Sequence, residues 1–414
     1  MVERLPDDCF ALPPGVDWTP VDDALALLRT ALRPVAGEEI VPLTREAAGR
    51  ILARPVTALR DNPPAANSAV DGYAFAHASL SGAGDLTLRE GRAAAGHPFP
   101  GTLDPGEALR ILTGADLPAG ADTVVLQEDV TLAGGRIRFP PPRKPGANSR
   151  PRGEDARAGD QVFPKGRRLT PADLARGVAA GVAEVSLHKP LRVAVLSTGD
   201  ELIQPGSTGH GIFDANRPML LALTERLGFR AIDLGVARDR EDAVRQAFDR
   251  AAAEADALIT TGGASTGDED HVSRLLTREG HVTTWRIAVK PGRPLALGQW
   301  RGVPVFGLPG NPVAAFVCAL IFVRPALGLL AGEGWVEPEA FQIPAGFEKS
   351  KKPGRREFLR ARIRDGRAEI FHSEGSGLVG GLSWAEGLVD LPEPGLTVRP
   401  GDLVRYLPFS GFGL

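Results

Sequence analysis

DALITTGGASTGDEDH, residues 256–271, lays out a strand, a glycine loop and a helix in that order. The apolar start suits a buried strand, and Val272, Leu275 and Leu276 follow the loop at helical spacing. Gly262, Gly263 and Gly267, with Ser265 among them, let backbone N–H groups approach an anion without Cβ clashes. The helix start adds a positive dipole end. Asp268, Glu269 and Asp270 come next. Carboxylates repel a bare phosphate, so the pairing makes most sense with a divalent cation, Mg2+ or another, between the two. That nominates Asp268 and Asp270 as metal ligands. The plainer reading is that these acids favour the helix N-terminus, by roughly 0.3–1 kcal/mol each.

Outward from this stretch the pattern is regular. Strands expected at 191–197, 229–235, 256–261 and 303–308 alternate with helices near 217–227, 239–254, 268–279 and 312–330. Such alternation predicts a doubly wound, mainly parallel sheet, whose ligands bind beyond the carboxyl ends of the strands. Three loops leave from that edge: STGDEL (197–202), the 260–271 run and GLPGNP (307–312). The chain as a whole reads as an α/β multidomain protein. Residues 17–38 with 188–331 form the α/β domain, 39–57 with 159–187 a small linker domain, and 58–158 a β-rich inserted domain. Short strands at 85–90, 108–112, 123–126 and 136–139 mark the inserted domain, and 332–414 reads as a C-terminal β-barrel-like domain without helices. Helices are expected over 21–32, around 44–52 with Thr44 as cap, and over 168–180 with Thr170 and Pro171 at its start.

Three more motifs are KPGRP (290–294), NSAVDGYAF (67–75) and GEDARAGD (153–160). Arg286 and Lys290 are four apart in a segment that reads as a strand, so they share a face and can meet phosphate or an oxyanion. Arg150 and Arg152 could bind an anion such as molybdate, or form a solvated loop. Lys349, Lys351, Lys352, Arg355 and Arg356 read as a solvated face. Together the six motifs, in this order, resemble the molybdopterin molybdenumtransferase family (MoeA), to which the gephyrin E domain belongs, from about Val21 to the C-terminal end. The resemblance implies that Asp270 is a metal and catalytic residue and Glu201 an active-site acid that also binds the metal. It implies site positions at Thr113, Asp155 and Asp239, and a loop around Asp71 that reaches a partner subunit's cleft in a homodimer. Gly262, Gly263, Ser265, Arg150, Arg286, Pro309 and Pro312 fall among the substrate-binding positions, and Lys290 among the catalytic ones. Arg293 stands where the family commonly has Lys, and a planar fork replaces a point charge there.

Composition removes other classes. Hydrophobic content of 43% excludes wholesale disorder, and 50 Gly with 36 Pro imply many turns and several β-rich pieces. A net charge of −3 supplies no field for nucleic acid or an anionic membrane. Cys9 and Cys318 support neither a disulfide framework nor a zinc site, and MVERLPDDCF has no signal-peptide core. The longest apolar run, 313–323, stops at Arg324 and reads as a core helix too short to span a bilayer. A cytoplasmic protein fits. The resemblance implies insertion of molybdate into adenylylated molybdopterin with release of AMP, the last step of molybdenum cofactor synthesis. Alternatives are a molybdopterin adenylyltransferase or nucleotide hydrolase sharing the α/β core, and a non-enzymatic scaffold. The segments carrying NSAVDGYAF and GEDARAGD speak against the first, and the full set of acids against the second.

Overall fold

The computed structural model describes residues 19–414 except 81, 83, 143, 209, 263–270, 286, 293 and 294, and for 281–285 the backbone alone. Its central sheet holds β1 (Arg192–Thr198), β2 (Arg230–Ala237), β3 (Ala257–Thr261), β4 (His281–Trp285), β5 (Leu295–Trp300) and β6 (Val303–Leu308). The order is β2-β1-β3-β6-β5-β4. The first four are parallel, whereas β5 and β4 are antiparallel additions. Helix–strand alternation does not signal those two, because no helix lies between them.

Period-two alternation splits each strand between two cores. Val193, Val195, Ile259, Phe306 and Leu308 face a cluster that includes Leu28, Leu220 and Leu327, from helices Val21–Ala31, Asn216–Arg226 and Arg324–Leu330. Ala194, Leu196, Leu258 and Val305 face Val244, Phe248, Val272 and Leu275 of helices Glu241–Glu254 and His271–Glu279. Each fully buried Leu, Val or Phe contributes about 1.5–3 kcal/mol. The sheet is doubly wound as expected, with its carboxyl edge open.

The helical run Pro312–Leu330 forms as expected, but its apolar length is greater than the 313–323 run suggested. It continues through Arg324, whose guanidinium donates to the Val336 carbonyl at 2.8 Å, and its 19 residues are long and apolar enough to cross a membrane by length and composition. Yet 83% of its apolar window is buried inside the protein, so it is a core helix.

A second sheet places Gly72–Phe75 between Thr123–Leu126 and Glu107–Ile111, followed by Gly84–Ala93, Arg136–Phe139 and Thr131–Ala133. Near the C-terminus, Val289–Lys290 joins Arg356–Arg364, which continues to Gly387–Leu391, Leu403–Pro408 and Phe341–Pro344. Residues 285–289 are therefore not one strand: β4 ends at Trp285 and Val289–Lys290 belongs to another sheet, which removes the shared-face argument for Arg286 and Lys290. A short helix, Gly380–Trp384, also interrupts the all-β C-terminal reading.

Thr170 forms a capping box with Asp173 on helix Pro171–Ala179, as the sequence suggests. Thr44 caps nothing. Only a 3-10 turn, Arg45–Ala47, forms there, and the Thr44 hydroxyl donates to Glu46 instead. The helix cannot continue because Gly49 adopts φ +78° and the Gly49 and Leu52 amides donate to the Leu169 and Arg167 carbonyls.

Of the basic cluster only Lys352 is solvent-exposed. The Lys351 ammonium donates to the carbonyls of Lys352, Glu393 and Pro394, and Lys349 pairs with Glu357 and Glu374. Asp390, its side chain 2% exposed, accepts two bonds from Arg356 at 2.7 Å and one from Arg405 at 2.8 Å. Replacing Asp390 by Ala removes three charge-assisted hydrogen bonds, but Arg356 keeps Asp22 and Arg405 is 39% exposed. The unfolding free energy from urea titration should fall by roughly 1.5–3 kcal/mol, and an unchanged midpoint would contradict this.

Candidate active site at the carboxyl edge of the sheet

The ends of β1, β3 and β6 meet in a space only glycine allows. Gly262 ends β3 at φ +85°, where a Cβ would lie 2.4 Å from the Thr198 carbonyl oxygen, and a Cβ on Gly310 would lie 3.6 Å from the Gly262 Cα. Beside them opens a cleft of about 70 Å³, lined among others by Ser197, Glu201, Phe213, Asn216, Gly262 and Pro312. Gly199 makes room for Glu201: a Cβ there would be 2.5 Å from Glu201 Oε2. Next to it, the Asp200 N–H donates to Asp239 Oδ2 and the Asp239 N–H to Asp200 Oδ1, both at 3.2 Å, which ties the β1 and β2 loops together.

Asn216 and Thr261 belong to this site, and the sequence reading missed them. Asn216 Nδ2 donates to Thr261 Oγ1 at 2.7 Å and to the Gly310 carbonyl at 2.8 Å, while the Thr261 hydroxyl donates to the Pro309 carbonyl at 3.2 Å. Ser197 Oγ, Thr198 Oγ1, Thr260 Oγ1 and Asn311 Oδ1 are buried without a protein partner. A polar side chain opening an apolar helix, and hydroxyls closing an apolar strand, were the available signals.

A second cavity, of about 30 Å³, lies across the proline loop. Pro312 lines the first, and Val313 lines the second with Lys290, Arg360, Ser373 and Glu374. Lys290 Nζ donates to Glu357 Oε1 at 3.2 Å and Glu374 Oε2 at 2.6 Å. Burial opposes its charge, but Glu374 and then Glu357 outweigh this and hold its pKa above that of a free lysine. Arg360, also missed, is 5% exposed and donates to the carbonyls of Leu378, Ser373 and Gly375.

A third group stands on the sheet around residues 72–139. Asp71 Oδ1 accepts from the Thr113 N–H and hydroxyl, both at 2.7 Å, and these bonds hold its carboxyl below the usual range. Arg150 is exposed and pairs by its backbone with Asn67 of the same loop, whereas the Arg152 guanidinium is taken by Asp61. Asp155 accepts from Asn62 Nδ2 at 3.0 Å. Among the described residues no hydrogen bond or ion pair joins this group to the Glu201 cleft.

Gly263, Ser265, Asp268, Asp270, Arg286 and Arg293 lie outside the described residues. Among the described ones, no group of three or more His, Cys, Asp or Glu could hold a metal. The carboxylates at the strand ends, Glu201, Asp200 and Asp239, offer oxygen donors only, a chemistry that suits a hard divalent cation.

A doubly wound sheet with glycine turns and acids at its carboxyl edge defines a class of anion- or nucleotide-handling α/β proteins. Three family models refine this: "MoeA N-terminal region (domain I and II)" matches residues 19–181, "Probable molybdopterin binding domain" 194–328, and "MoeA C-terminal region (domain IV)" 342–409. A molybdopterin molybdenumtransferase of Haemophilus influenzae is 37% identical over 375 residues, covering 88% of this chain and 93% of the relative. Molybdopterin molybdenumtransferase 2 of Mycobacterium tuberculosis is 33% identical, covering 91% and 95%. The solved molybdopterin biosynthesis moeA protein of Pyrococcus horikoshii OT3 superposes with a TM-score of 0.83 at 29% identity, over 95% of this chain and all of that one. The chain belongs to the molybdopterin molybdenumtransferase family.

Gly262→Ala combines a left-handed backbone with a clash against backbone, whereas Gly206→Ala, at φ +87°, meets nothing within 4 Å. Gly206→Ala should cost about 1–2 kcal/mol and Gly262→Ala clearly more, by thermal unfolding. Equal costs would show that the close approach at Gly262 is not a constraint.

Proposed function

We propose that this protein inserts molybdate into adenylylated molybdopterin and releases AMP, in the cytoplasm. The observation that carries the reading is that the turn into helix Pro312–Leu330 lines both a cleft with Glu201 and Gly262 and a cavity with Lys290, Arg360 and Glu374. A substrate with a pyrophosphate at one end and a molybdate-accepting dithiolene at the other needs both chemistries side by side. Gly262 and the loop that follows offer N–H groups to phosphate. Glu201, with Asp268 and Asp270 from that loop, would hold a divalent cation, which when bound offsets phosphate charge and polarises the leaving group.

Lys290, lining the second cavity, would meet the oxyanion, and Arg286 and Arg293, near it in sequence, are further candidates for substrate binding. Glu357, its side chain 9% exposed, anchors the Lys290 ammonium, while Glu374, 46% exposed, is the partner an incoming oxyanion would replace. Asp71 acts as acid or base, and Thr113 fixes its orientation and keeps it ionised. The separation of Asp71, Thr113 and Arg150 from their own chain's cleft supports a homodimer in which this loop completes the partner's site.

Matches at 19–181 and 342–409 extend beyond the α/β core and favour this reading over a stand-alone adenylyltransferase or nucleotide hydrolase. The acids at the strand ends favour it over a scaffold. The test is molybdate-dependent AMP release by the purified protein. Asp270→Asn should lower it by at least about 100-fold with the fold intact. Full activity in that variant, or ATP-driven adenylylation of metal-free molybdopterin by the wild type, would contradict the proposal.

A further inference from the structure

The carboxamide of Asn216 joins three elements at the cleft: the helix it opens, the end of β3 at Thr261, and the proline loop at Gly310. Its orientation is fixed by chemistry. A flipped amide would set its oxygen against the Gly310 carbonyl, which only accepts. The residue is 7% exposed, and its Oδ1 is buried without a protein partner. An apolar side chain of similar shape would remove the unpaired Oδ1 but would leave the Gly310 carbonyl without this donor, at a cost of about 1–3 kcal/mol. The amide therefore acts through its two donated bonds, which hold the segments carrying Gly262 and Gly310 against each other. Thr261 extends the tie, because its hydroxyl accepts from Asn216 and donates to the Pro309 carbonyl, directing the hydrogen bonds one way along the chain.

We propose that Asn216 is a positioning residue for the reaction, a clip that acts through Thr261 and Gly310 to keep the phosphate-receiving wall of the cleft in register with the proline loop. This rests on the phosphate site assigned under Proposed function. Without the clip the two segments part, and the Gly262 backbone no longer stands where it can meet the anion.

The test uses the full-length protein with AMP as the probe, titrated calorimetrically well below the unfolding temperature. Thr261→Val removes the hydroxyl at almost constant shape, and Asn216→Asp places a carboxylate against the Gly310 carbonyl; Thr261→Ser keeps the hydroxyl. Thr261→Val and Asn216→Asp should weaken AMP about tenfold, while Thr261→Ser stays within about twofold of wild type. Rescue by Ser but not Val separates positioning from simple loss of stability, and thermal unfolding checks that Thr261→Val remains folded. Wild-type AMP affinity in both Thr261→Val and Asn216→Asp overturns the clip. A wild-type protein that binds no AMP overturns the phosphate site itself, and the clip with it.

Discussion

The carbonyl oxygen of Thr198 stands where a side chain on residue 262 would begin. The carboxyl edge of the sheet is organised around that close approach. Neighbouring strands lie about 4.7–4.9 Å apart, and the turn leaving β3 passes still closer to the end of β1. Glycine at 262 makes this possible, and the loop after β6 joins from the other side at Gly310, where a Cβ would make only ordinary contact. Bare backbone at Gly262 and Gly310 then faces the cleft beside the side chains of Glu201, Phe213 and Asn216. The result is a preformed cradle, with Glu201 folded over Gly199 at its rim.

Charge is distributed by the same logic. Arg356, Arg192 and Arg168 are held by Asp390, Asp256 and Glu333, pairs that fasten strands and loops together. At the strand ends the pattern changes. Among the described residues, Glu201, Asp200 and Asp239 take part in no ion pair. Arg240 lies within electrostatic reach of Asp200, and the Asp200 and Asp239 carboxylates each accept a backbone N–H, so these two acids are held by neutral donors rather than by direct ion pairs. Lys290 is intermediate, since one of its carboxylate partners is buried and the other is open to solvent.

The doubly wound sheet was legible because short apolar strands alternate with helical segments from 191 onward, and the separate helix Pro171–Ala179 because Thr170 and Pro171 mark its start. Glu201, Gly262 and Pro312 could be placed together because all three follow strands that end on one edge. Long-range geometry was not legible. Lys290 appeared to continue the strand before it, yet it pairs with Arg356–Arg364, more than sixty residues away. Thr44 looked like a cap until distant carbonyls claimed the Gly49 and Leu52 amides. Asn216 carries no motif, and only the Thr261 and Gly310 atoms around it reveal what its amide does.

The most direct measurement is a crystal structure of the protein soaked with AMP. Phosphate density should lie in the Glu201 cleft, within hydrogen-bond reach of backbone N–H groups at or just after Gly262. Phosphate bound elsewhere, for example beside Arg356 and Arg405, with the Glu201 cleft empty at saturating AMP, would show that the carboxyl edge is not where this chain receives its substrate.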